Sequence, residues 1–173
     1  MTFNRAAEMF TEAIPGVLIQ LTAILADGQT STIVIASLMT SALTTGFTSA
    51  SISYDFDTDP SKRRDNPDFF GYAPDGSKQR TVLFGTMLLL STVMLLVRAL
   101  VLVLLGMVSR SIALLYIGVD LGLFLLFKIL RDDFFYWLQV PPAIEIFGAV
   151  LVRVIVKVIS DFTLCVQFRH PNE

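Results

Sequence analysis

Residues 81–108 read TVLFGTMLLLSTVMLLVRALVLVLLGMV, a block of Leu, Val and Met interrupted by a single arginine, Arg98. A helix rising 1.5 Å per residue needs about 20 apolar residues to cross a hydrocarbon core of about 30 Å, and this block is long enough. It predicts a membrane-spanning helix that faces lipid over much of its circumference. Working outward, four further stretches read as helices of similar length, at residues 7–26, 31–53, 111–130 and 144–168. The expected fold is all-α, a polytopic transmembrane bundle of about five helices forming one domain over residues 1–173. Residues 54–80 are expected to form its hydrophilic loop, on the cytoplasmic side.

Composition agrees with that class. Hydrophobic residues make up 54% of the 173 and charged residues only 16%, too little charge and too much continuous apolar sequence for an ordinary soluble domain. The net charge of −2 conceals a segregated distribution, with most charge in one hydrophilic segment and at helix ends and the remainder inside apolar spans. No basic face stands apart from acidic residues, so nucleic acid is not an expected partner. Cys165 has no cysteine to pair with and His170 is the only histidine, which argues against disulfide, redox and zinc chemistry. No cofactor is expected. Glu8 and Glu12 interrupt what would be the apolar region of a signal peptide, so insertion relies on the spans themselves.

The spans differ in character. The first carries Glu8, Glu12 and Pro15 and is expected to kink near its start, because a proline ring clashes with a carbonyl one turn earlier; a half-helix entering from one side is the alternative. The second is built from Ser, Thr, Ala and Gly, which let helices approach closely and place it in the interior. The fourth holds Asp120 at its middle. It is followed by Lys128, Arg131, Asp132 and Asp133 and then Phe134, Phe135, Tyr136 and Trp137, the pattern of an interfacial aromatic belt. Pro141 and Pro142 start the last helix.

With a cytoplasmic N-terminus, that side holds Arg5, Lys62, Arg63, Arg64, Lys78, Arg80, Lys128 and Arg131, against Arg110 and Arg169 opposite. The alternation Asp55, Asp57, Asp59 in the loop invites a calcium reading, but Ser61 stands where the turn glycine is needed and Asn66 where the bidentate glutamate belongs. A solvated connector fits better, and no metal is expected.

Charge inside the bilayer carries the functional reading. Glu8, Glu12, Gly16 and Gln20 recur every four residues on the first span, and Arg153, Lys157 and Asp161 do so on the last, each set falling on one helix face. A charge at a helix centre costs about 2.5–3.5 kcal/mol on insertion scales, so these residues, with Arg98 and Asp120, must meet one another or water. In one account Arg153 and Lys157 pair with Glu8 and Glu12, and Arg98 with Asp120, as bridges that fix helix register. In the other, the stripes line a hydrated groove along which something charged moves.

The stretch Glu8-Met-Phe-Thr-Glu12-Ala-Ile-Pro15, followed by Leu18-Ile-Gln20-Leu, resembles the acidic, proline-bearing helix of XK-related membrane proteins, with Gly16 where that family usually has glutamine. Ile52-Ser53-Tyr54-Asp55 is similar to its span ending in an aromatic before a basic loop. Leu96-Val97-Arg98-Ala99-Leu100 resembles its arginine-bearing helix, and Arg131-Asp132-Asp133-Phe134 its acidic-aromatic junction. The resemblance covers most of the chain, matches the middle and later part of a longer family pattern, and so implies a fragment of a larger protein. It also implies phospholipid scrambling, with Glu8, Glu12 and Arg98 on the headgroup path. Spacing adds Gln20, Asp120, Arg153, Lys157 and Asp161.

Scrambling of this kind is passive: fixed charges solvate phosphate and amine in turn while the tails stay in lipid. No phosphate-cradling glycine motif and no nucleophile-base-orienter set is present, so an enzyme is not expected. Membrane phospholipids are the expected partners. Two other classes remain open: an ion channel or transporter lined by the Ser/Thr-rich second span, and a structural subunit anchoring a partner membrane protein, with the charges serving only as bridges.

Overall fold

The computed structural model describes residues 2–28, 31–58, 64, 74, 76–131 and 142–164. The aromatic cluster at residues 134–137, the acidic-aromatic junction beyond Arg131, most of the charged loop, Cys165 and His170 lie outside them. The described residues form helices throughout: α1 (Thr2–Glu8), a π-turn (Met9–Ala13) leading into α2 (Ile14–Asp27), α3 (Thr32–Thr58), α4 (Ser77–Val108), α5 (Arg110–Leu130) and α6 (Pro142–Thr163). Four segments are long and apolar enough to cross a membrane, Asn4–Ala26, Thr32–Asp55, Ser77–Val108 and Arg110–Leu130. The chain is a multi-pass membrane protein with an all-α bundle.

The arrangement of surface and interior supports the same conclusion. Along α5, Leu114, Leu123, Phe127 and Leu130 are exposed, whereas the buried residue of the helix is Lys128, 4% exposed. A helix with leucines outside and a lysine inside inverts the pattern of a soluble protein, and suits a solvent of hydrocarbon.

Proline decides the shape of the first span. Pro15 has no N–H, and in a regular helix its ring would press on the carbonyl of residue 11. The preceding turn instead widens, with the Ile14 N–H bonded to the Met9 carbonyl five residues back, and the chain continues into α2 without breaking. The expected kink is thus resolved as a π-turn in a continuous span. Gly28, at φ 62°, ends α2 in the left-handed conformation that glycine adopts without a Cβ penalty.

The tightest packing joins α3 to α4. Leu38, Ala42, Thr45, Ser49, Ile52 and Ser53 are buried along one stripe of α3, and Ser91, Leu95, Ala99 and Val103 along one stripe of α4. At the crossing sits Gly46, where a Cβ would fall 2.2 Å from Thr92 Oγ1 and 3.1 Å from the Leu88 carbonyl oxygen. Only the lack of a side chain permits this approach, as the small-residue composition of the second span predicts. On the outward side of α3, the Thr40, Thr44 and Thr48 hydroxyls donate to carbonyls one turn back, at 2.8, 3.0 and 3.0 Å, so each of these three has an acceptor in an apolar medium.

Helix α6 ends inside the bundle. The Thr163 carbonyl, which a helix C-terminus leaves without an intrahelical donor, accepts from the Ser49 hydroxyl at 3.1 Å and the Ser91 hydroxyl at 2.5 Å. Leu164 follows at φ 52°, a conformation costing a non-glycine residue about 1–2 kcal/mol. The two serine bonds help to hold the end in place. Phe162 then joins Ile14, Val17, Leu21, Leu38, Ala42, Leu95, Ala99 and Val103 in the main core, and Ile159 joins Ala6, Met9 and Ile52 in a second one. Arg5 and Asp55, 3.8 Å apart, and Tyr54 edge-on to Phe84 place the start of α1, the end of α3 and the start of α4 on one side of the membrane.

Candidate functional site

A cavity of about 490 Å³ opens between the first span, α4, α5 and α6. Phe10 and Thr11 of the π-turn, with Ile14, Pro15 and Leu18 of α2, form one wall; Val101 and Leu102 of α4, Ile117 and Leu121 of α5, and Val158 and Phe162 of α6 form most of the rest. These surfaces are apolar. Into them project Arg98 from α4, Tyr116 and Asp120 from α5, and Lys157 and Asp161 from α6. Val101, Tyr116 and Ile117 are each about 40% exposed, which sets the mouth of the cavity on the exterior that lipid covers.

Lys157 holds the ionic part together. Its ammonium lies 3.0 Å from Asp120 Oδ2 and is bonded to Asp161, one turn further along its own helix. The same ammonium stands 5.5 Å from the centre of the Phe124 ring, and the Lys128 ammonium 5.9 Å from that ring. Cations over an aromatic face gain most where water is excluded. A second cavity of about 310 Å³, lined by Asp120, Leu123, Phe124, Phe127, Lys128 and Lys157, adjoins the first. The Asp120–Lys157 pair belongs to both linings and therefore stands between them.

Arg98 is arranged differently. Its guanidinium donates to the Tyr116 hydroxyl at 3.3 Å and makes no ion pair among the described residues. The expected Arg98–Asp120 bridge is absent there, because Lys157 from α6 occupies Asp120 instead. Arg98 and Asp120 still share the cavity.

The remaining sequence candidates separate. Glu8 and Glu12 are exposed, outside the cavity lining, and in no ion pair among the described residues. Two causes combine. Positions four apart drift about 40° per step on a helix of 100° per residue, and the π-turn, which itself contains Glu12, adds a residue between Glu8 and Gln20. Gln20 is part-buried, its amide donating to Ser41 Oγ at 3.5 Å while its buried carbonyl oxygen accepts no bond among the described residues. Arg153, at 2% exposure, is buried outside the cavity lining with interactions of its own, not against Glu8 or Glu12. The same drift, about 80° over eight residues, takes it off the face that Asp161 shares with the cavity.

Sequence reasoning missed Tyr116, Phe124 and the inward role of Lys128. The signal was present: Tyr116, Asp120, Phe124 and Lys128 recur every four residues along α5. Comparisons of this chain with protein-family models, with curated proteins and with solved structures find no match.

Proposed function

We propose that this membrane protein moves phospholipid headgroups passively across the bilayer, along the cavity that brings Arg98, Asp120, Lys157 and Asp161 together. The observation that carries the reading is their convergence in an apolar, exterior-facing cavity of a membrane bundle. Hydrocarbon walls accommodate acyl chains, whereas the four charges offer a polar headgroup the solvation it loses on leaving water. The resemblance to XK-related proteins supports this reading through Arg98. For Glu8 and Glu12 it is spacing and family pattern, not cavity geometry, that suggests a role.

A pore along the Ser/Thr-rich helix has less support, because Thr40, Thr44 and Thr48 on its outward face are committed to backbone carbonyls and no described residue of α3 lines the cavity. The test is accessibility of fluorescent lipids to a membrane-impermeant quencher in liposomes holding the chain, against Arg98→Ala and Glu12→Gln at matched incorporation. Flip that collapses in Arg98→Ala supports a headgroup path, and survival in Glu12→Gln would confine it to the cavity. No flip from correctly inserted protein would favour a structural subunit that anchors a partner membrane protein.

A further inference from the structure

Pairing divides the four charges of the cavity into two poles. Lys157 meets both Asp120 and Asp161, so within this cavity that end holds two carboxylates against one ammonium, while Lys128 lines the adjoining cavity. Arg98 has the neutral Tyr116 hydroxyl as its partner and no ion pair among the described residues, so no carboxylate is in contact with its guanidinium there. Tyr116 and Asp120 are four residues apart on α5, about 6 Å along the helix axis. The α5 residues that hold the two poles, Tyr116 and Asp120, are thus anchored about one turn apart, among apolar walls that screen charge poorly.

We infer that the cavity is a binding site for zwitterionic phospho-amine headgroups, with phosphate at Arg98 and the amine at the Asp120–Asp161 end. The inference rests on reading the cavity as a headgroup path and adds the substrate class. A guanidinium fork suits phosphate oxygens, and an ammonium supplies donors that carboxylates accept. An anionic headgroup without an amine satisfies Arg98 but meets like charge at the two carboxylates. A sugar headgroup meets neither pole with opposite charge. A volume of about 490 Å³ holds a headgroup and the first part of its chains, leaving the tails in the bilayer.

The test is competitive lipid retention. The chain is equilibrated in detergent with equal amounts of phosphatidylethanolamine, phosphatidylglycerol and a neutral glycolipid, then washed, and the lipids it keeps are counted by mass spectrometry. Phosphatidylethanolamine is expected to exceed phosphatidylglycerol by about tenfold, equivalent to ~1.4 kcal/mol. Asp161→Asn removes one of the two carboxylates and is expected to reverse that order, a change that loss of folding cannot mimic. Asp120→Asn, at a side chain 42% exposed, tests the same point should the first variant not fold. Equal retention of the two phospholipids by the parent, or an unchanged ratio in both variants, overturns the inference. Flip without selective retention leaves scrambling standing and removes the dipolar site; selective retention without flip does the reverse.

Discussion

The α3–α4 contact and the α5–α6 side of the bundle solve the same problem, polar groups in hydrocarbon, in opposite ways. Between α3 and α4 the polar groups are small and neutral. Thr92, Ser49 and Ser91 each find a backbone carbonyl, and Gly46 lets the helices close until no side chain fits between them. Between α5 and α6 the polar groups are long and charged, the helices meet less extensively, and a cavity remains. A hydroxyl is satisfied by one nearby acceptor, so it favours close approach. An ammonium with two carboxylates needs room and several partners, so it holds helices apart. The difference teaches that the first pair is the scaffold and the second is where something can bind.

That contrast can be broken most severely at Gly46. Gly46→Val puts a branched side chain where even a Cβ lies 3.1 Å from backbone atoms of Leu88 and Thr92, and should cost about 3 kcal/mol, the upper part of the range for overpacking. Reversible unfolding in mixed micelles measures it; a loss below ~1 kcal/mol would mean the helices separate easily. Next in size is Lys157→Met, which leaves Asp120 and Asp161 facing each other. Because Asp120 is substantially exposed, we expect about 2 kcal/mol, less than for a fully buried pair. Adding Asp120→Asn to Lys157→Met should recover part of that loss, and a double-mutant cycle reads the coupling.

Smaller effects sharpen the scaffold side. Ser49→Ala and Ser91→Ala each remove one donor from the Thr163 carbonyl, for about 1 kcal/mol apiece. The double variant should cost more than their sum, since only it leaves the carbonyl without either serine; amide exchange in the last turn of α6 reports the loss directly. Arg5→Ala should be smallest, at most about 0.5 kcal/mol, because its 3.8 Å pair with Asp55 joins two exposed side chains. A larger loss there would show that this pair, rather than the cores, ties α1 to α3.

Much of the fold was legible. The helix at residues 81–108 and its neighbours at 31–53 and 111–130 coincide with α4, α3 and α5 to within about five residues at each end, since hydropathy is a local, residue-by-residue quantity. The close approach of the second span to α4 followed from its small residues, but the expected interior position did not hold: one stripe of α3 is buried while Ile33, Met39, Leu43 and Phe47 are exposed. Asp120, Lys157, Asp161 and Arg98 were legible because each is expensive in hydrocarbon, but only within a larger set that also held Glu8, Glu12, Gln20 and Arg153, which line no part of the cavity. Which of them touch was not. One of the two accounts open from sequence paired Arg98 with Asp120, and Arg153 and Lys157 with the glutamates, whereas the bundle pairs Lys157 with Asp120 and gives Arg98 a tyrosine.

Hydropathy therefore established the all-α class, its membrane setting and the residues whose charge demands a partner, although four segments rather than five are long and apolar enough to cross among the described residues. These depend on the free energy of placing one residue type in one solvent. Tertiary structure alone chose the partners, the depth at which α6 stops, and the cavity that joins four charges from α4, α5 and α6. Those depend on the rotation and rise of one helix against another. A π-turn at Met9–Ala13 or a 40° drift per four residues is enough to carry a charge from one face to another.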